Sequence, residues 1–177
     1  MNDPGGRIVL PVALGLADGV LNALTLASAS LLGSGVHVTA GLAIRISIAA
    51  LVTAGFSVFV GTYAEERGGL RHAARQVNLS NEGALVDTQL GQLAARRAVT
   101  QAALASGASM LGALVPLLIA AVVPGPGWIA AIIAVGTLGV LGVGLASTVV
   151  ANRLAWAVSL IAGGIAVTAV GLWISIT

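Results

Sequence analysis

Asp18, Asn22 and Thr25 sit four and three residues apart inside the apolar stretch "LGLADGVLNALTLASASLLG", residues 14–33. At 3.6 residues per turn, that spacing places them with Gly15 on one face of a helix. A carboxylate near the centre of a bilayer costs about 2.5–3.5 kcal/mol on insertion scales. Something must offset that cost. One reading is a cation or proton site that lines a pathway between helices. The other is an interhelical hydrogen-bond cluster with Asp18 protonated. Such bonds average only about 0.6 kcal/mol, a small return for burying an acid, which favours the first reading. Gly15 and Gly19 form a GxxxG beside the polar stripe, a pattern that lets a second helix backbone approach closely.

The other polar residues in apolar surroundings carry weaker signals. Arg45 is the one further ionisable group well inside an apolar run. Its ordinary role is to extend its guanidinium outward to the water; an ion pair with Asp18 or a part in gating are the alternatives. Thr53, Ser57 and Gly61 recur every four residues as a small-polar stripe that could face Asp18. Hydroxyls on membrane helices usually bond to their own backbone, so the competing reading is equally strong. Pro116 removes a backbone hydrogen bond and should kink its helix. Glu65, Glu66, His72, Glu82 and Asp87 gather in the long polar segment. Their spacing fits no tight metal motif, so they read as a solvated charged face, with a weak hard-cation site as the alternative. Neither histidine has a paired nucleophile, and no phosphate-cradling glycine loop occurs, so the chain does not read as an enzyme.

These residues need elements to hold them, and composition says which. Hydrophobic residues make up 58% of the 177 and charged residues 8%, far below the quarter usual for a soluble domain. Such a chain cannot clothe a water-facing surface, so it reads as an integral membrane protein. Five runs are long enough to span the bilayer: about 8–32, 38–63, 99–123, 128–150 and 154–176. The first is too long for a signal-peptide core and carries an aspartate, so it reads as a span. "GSGVH" (33–37), "PGPG" (124–127) and "ANR" (151–153) supply short turns. Residues 64–98 form the one long polar piece. It reads as a continuation of the second span past Glu65 and Glu66, a turn at 78–81, and an amphipathic helix with Leu85, Leu90 and Leu93. Trp128, Trp156 and Trp173 fall near the ends of apolar runs, as in an interfacial aromatic belt.

Charge placement orients the chain. There are eight arginines, no lysine and a net charge of +2. All the arginines but Arg45 fall on one side of the five runs, which makes the N-terminus and the 64–98 insert cytoplasmic and puts the C-terminus outside. These few arginines do not imply nucleic-acid binding. With no cysteine, disulfides and thiolate metal sites are excluded. The fold class is therefore an all-α integral membrane protein: a single domain, 1–177, of five transmembrane helices with a short cytoplasmic helical insert between the second and third.

This organisation resembles the vacuolar iron transporter family. The resemblance runs through "GLADG" (15–19), "SVFVGTY" (57–63), "GALVPLL" (112–118), Arg153 and "GGIAVTAVG" (163–171), in that order, over nearly the whole chain. It implies a homodimer whose path lies between the subunits, lined by the first two spans, with Gly15 and Gly19 packing the dimer. It implies export of a divalent metal from the cytosol against protons, with Asp18 as the membrane-embedded acid. It implies no permanently bound cofactor; Fe2+ or Mn2+ is the substrate. The chain departs from the family where Val58 replaces a methionine, where Thr62 replaces a glutamate, and in an insert poor in carboxylates. Two Asp18 carboxylates in a dimer, with Asn22, Thr25, Ser57 and Thr62 as neutral oxygens, would suit a hard ion such as Mn2+ better than iron. The alternatives are a non-transporting membrane module that keeps the fold, and a carrier in which Arg45 holds an anion.

Overall fold

The computed structural model describes residues 4–31, 39–76, 88–122, 128–148 and 152–176. They form five helices: α1 (Pro4–Leu31), α2 (Ala40–Gln76), α3 (Gln89–Val122), α4 (Trp128–Thr148) and α5 (Arg153–Ile176). No strand occurs among the described residues. Their boundaries have local causes. Pro4 opens α1 where its missing N–H is not needed. Thr39 caps α2, its Oγ1 accepting the Leu42 N–H at 3.2 Å. Thr88 and Asn152 cap α3 and α5 in the same way, accepting from Leu90 at 3.3 Å and from Leu154 at 3.1 Å.

Three helices, α1, α2 and α3, are long and apolar enough to cross a membrane, and the chain is compatible with a membrane protein. The described apolar parts of α4 and α5, Ala131–Gly144 and Leu154–Val170, are shorter. The polar segment is absorbed largely into its neighbours. α2 runs through Gly68–Gly69 to Gln76, and α3 begins at Gln89, well before the expected start of the third span. α3 also continues through Pro116 as one helix. The expected turn at 78–81, the short turns at 33–37 and 124–127, and the acids Glu82 and Asp87 lie outside the described residues.

α1 is the hub. It packs on α3 and α4, and also on α5; α2 packs chiefly on α3, and α4 pairs with α5. Val20 and Leu24 of α1 meet Ala134 and Leu138 of α4 in one cluster, while Ala23, Ala43 and Leu117 join α1, α2 and α3 in another. α3 can serve two neighbours because its inner face is small. Ala94, Ala98, Ala102, Ala105, Ser109 and Gly112 are all buried at helical spacing. Gly15 and Gly19 lie against this seam. A Cβ on Gly15 would strike the Ala105 carbonyl, and one on Gly19 the Ser109 carbonyl. A Cβ on Gly112 would lie 2.6 Å from the Leu16 carbonyl. The close-packing face expected to join two protomers is therefore filled by α3 of the same chain, because α3 offers a complementary row of alanine and glycine.

Gly19→Leu should force α1 and α3 apart and cost about 1–3 kcal/mol or more of stability. Gly136→Leu, at a site with nothing within 4 Å, should change it by no more than about 0.5 kcal/mol. Thermal unfolding of the two variants in detergent checks this pair.

Candidate polar site at the α1, α2 and α3 crossing

Asp18 is half-buried, midway along α1, and faces the crossing with α3. Ser109 Oγ lies 2.9 Å from Asp18 Oδ2. The same hydroxyl lies 3.2 Å from the backbone carbonyl of Ala50 on α2. Ser109 is completely buried, so one side chain joins three helices. Asn22 Nδ2 also reaches Asp18 Oδ2, at 3.4 Å, a long and weak contact. The other carboxylate oxygen, Oδ1, accepts no hydrogen bond from the described residues. Among the described residues no buried side-chain polar atom lacks a partner, so Oδ1 is not fully sealed by protein atoms.

The arrangement has a definite chemical capacity. A serine hydroxyl has one proton and two lone pairs. With Asp18 ionised, Ser109 donates to Oδ2. With Oδ2 protonated, the carboxyl donates to Ser109 Oγ, and the serine proton turns to the Ala50 carbonyl. Both protonation states of Asp18 are satisfied with no movement of heavy atoms. A group that must alternate between a charged and a proton-carrying state needs such a partner, because an unpaired polar group in apolar surroundings is costly.

The other expected residues are only partly gathered here. Asn22 is at the site. Thr25 is exposed on α1 and donates to its own Leu21 carbonyl at 2.9 Å. Thr53 likewise bonds its own helix, at the Ala49 and Ala50 carbonyls. The stripe expected to face Asp18 points the other way: Thr53, Ser57 and Gly61 are exposed on the outer face of α2. The physical reason is that Ala43, Ser47, Ala50 and Ala54 take the inner face against α3. That row is just as small and slightly less polar, so it gives the closer contact.

Arg45 is exposed on the same outer face and forms no ion pair with Asp18. Thr62, counted as a neutral metal oxygen, is not among the groups at Asp18: its Oγ1 donates to Gln101 Oε1 of α3 at 3.0 Å, more than two turns along α3 from Ser109. Glu66 contacts Arg97 at 3.5 Å, while Glu65 and His72 are exposed. No group of three or more His, Cys, Asp or Glu side chains comes together among the described residues. Thr62→Val should therefore cost about 0.6 kcal/mol through its lost bond to Gln101. It should leave the metal dependence of any flux within about twofold, because the hydroxyl pairs with Gln101 and not with Asp18 or Ser109. Unfolding and flux measured on one preparation separate the two effects.

Sequence reasoning missed Ser109 and the Ala50 carbonyl. The available signal was slight: a hydroxyl in a helix whose inner face is otherwise alanine and glycine. Comparison of the chain with protein-family models, with curated proteins and with solved structures finds no match in any of the three.

Proposed function

We propose that this chain is a multi-pass protein of the plasma or inner membrane that exports divalent transition-metal cations, Fe2+ or Mn2+, from the cytosol in exchange for protons. In this reading it is a divergent, short member of the vacuolar iron transporter family and works as a homodimer. All five helices cross the bilayer. The N-terminus and the 64–98 insert are cytoplasmic, and the C-terminus is outside.

The observation that carries the reading is the state of Asp18. It is the one acid in the apolar part of α1. Its Oδ2 is held by a buried serine that serves both protonation states, and its Oδ1 is left without a hydrogen bond from the described residues. An acid kept only for structure gains nothing from an oxygen left without a donor. The outer face of α2 adds support for a second copy. Ile44, Ile48, Val52, Phe56 and Val60 are exposed there, alternating with Arg45, Thr53 and Ser57. A twin protomer laid along this face would cover these apolar side chains.

The mechanism follows from competition for one oxygen pair. A divalent cation binds only the deprotonated carboxylate, so loading it releases a proton and reprotonation expels it. Two Asp18 side chains across the twofold axis would supply the charge. Asn22, whose amide nitrogen already faces Asp18, would add its side-chain oxygen. These are hard oxygen donors, which suit Mn2+.

The test uses purified protein in liposomes, with Mn2+, Fe2+, Co2+ and Zn2+ offered in turn across a pH gradient. The expected result is metal movement accompanied by proton movement in the opposite direction, largest for Mn2+ or Fe2+. No metal-dependent proton movement with any of the four would overturn the reading. It would leave a non-transporting membrane module, which the lack of a second acid in α1, in α3 or in α2 before Glu65 favours.

A further inference from the structure

A second site lies toward the arginine-bearing ends of α1, α2 and α3. There a cavity of about 310 Å3 is bordered by Arg96, Arg97 and Gln101 of α3, by Glu66 of α2 and by Ile8 of α1. Its polar lining is rich in donors. The Arg96 guanidinium has no hydrogen-bond or ion-pair partner among the described residues. Arg97 is held only by the 3.5 Å contact to Glu66, with both side chains partly exposed, which makes a weak pair. Gln101 has given its carbonyl oxygen to Thr62 and its NH2 has no acceptor among the described residues. Thr100 spends its hydroxyl proton on the Arg96 carbonyl. Two arginines and a glutamine therefore line the cavity with a single carboxylate, which leaves one positive charge in excess. A metal ion would be repelled here, and Glu66 is better placed to steady Arg97 than to bind a cation. A phosphate-type monoanion matches both the charge and the donors.

The remaining walls say which phosphate. Leu104 lies one turn beyond Gln101 on α3, and Leu93 one turn before Arg97. Ile8 is the first residue of the apolar span of α1 and is 54% exposed. The cavity thus straddles the boundary where charged helix ends give way to apolar ones. We propose that it binds the headgroup phosphate of an anionic phospholipid, with the acyl chains running over Ile8 and Leu104. Arginine-lined pockets between helix ends on the cytoplasmic side are suited to such headgroups. The bound lipid bridges the same three helices that meet at Ser109. This inference rests on the membrane placement in the preceding reading and not on transport.

The test is thermal unfolding of the full chain in a neutral detergent with added dioleoyl phosphatidylglycerol, dioleoyl phosphatidylcholine or inorganic phosphate. Phosphatidylglycerol should raise the midpoint in a saturable way; the other two should not. In the Arg96→Gln/Arg97→Gln variant, the half-saturating phosphatidylglycerol concentration should rise about tenfold or more. Arg71→Gln, on α2 outside the cavity, should leave it unchanged. If the double variant does not fold, Arg96→Gln alone, with bound lipid counted by native mass spectrometry, gives the same reading. An equal shift from phosphatidylcholine, an equal shift from inorganic phosphate, or an undiminished response in the arginine variants would each overturn the lipid site. Asp18→Asn should retain the full phosphatidylglycerol response, so a failure of the transport reading and a failure of this one are told apart.

Discussion

Asp18→Asn should reduce metal-dependent proton flux in liposomes to the leak of protein-free vesicles while leaving the protein folded. Asparagine has the shape of aspartate, and its side-chain oxygen can still accept from Ser109 Oγ, which lies 2.9 Å from the native carboxylate. What is lost is the charge that binds a cation and the oxygen that carries a proton. Because a charge in apolar surroundings is itself costly, the unfolding midpoint should stay level or rise. Metal flux that survives in this variant with its proton coupling intact would remove Asp18 from the mechanism. A folded variant with no flux of either kind is the expected result.

Ser109→Ala is expected to act through Asp18. The hydroxyl is the outer partner of a carboxylate proposed to bind metal. Removing such partners typically weakens metal binding about 10- to 100-fold. The half-saturating Mn2+ concentration should rise by that order. Stability should fall by only about 1 kcal/mol, since the Ala50 carbonyl keeps the Thr53 hydroxyl as a partner. Ser109→Thr provides the contrast. It keeps a hydroxyl but adds a methyl group to a completely buried position, so it should be less stable yet closer to wild type in apparent affinity. If both variants lose flux in proportion to their loss of stability, Ser109 is packing and nothing more.

The small-residue seam bears on both experiments. Gly15, Gly19 and Gly112 bring α1 and α3 close enough for a short side chain on α3 to reach a short side chain on α1. Serine and aspartate are both short, so a bond of 2.9 Å requires nearly touching backbones. Bulk at Gly19 should therefore disturb the Asp18 site as well as stability. The glycines that resemble an interface motif act here as spacers for a polar bond inside one protomer.

Composition and local spacing by themselves were enough for an all-helical chain built largely of apolar runs. Apolar content of 58% with 8% charge leaves few other ways to satisfy a backbone. Spacing alone also placed Asp18 beside Asn22, because residues four apart on a helix are neighbours whatever surrounds them. The rest depended on which faces meet, and no single helix carries that information. α2 has two rows of small residues, and only packing against α3 decided that Ala43, Ser47, Ala50 and Ala54 turn inward and leave Ser57 outside. Thr62 looked like a spare oxygen until Gln101, 39 residues away, came within 3.0 Å. Ser109 lies 91 residues from Asp18, and the Ala50 carbonyl belongs to the backbone, which has no signature in a sequence of side chains. Short-range geometry is written residue by residue, whereas the polar site exists only where three helices, each unremarkable by itself, are pressed together closely enough for one hydroxyl to reach across.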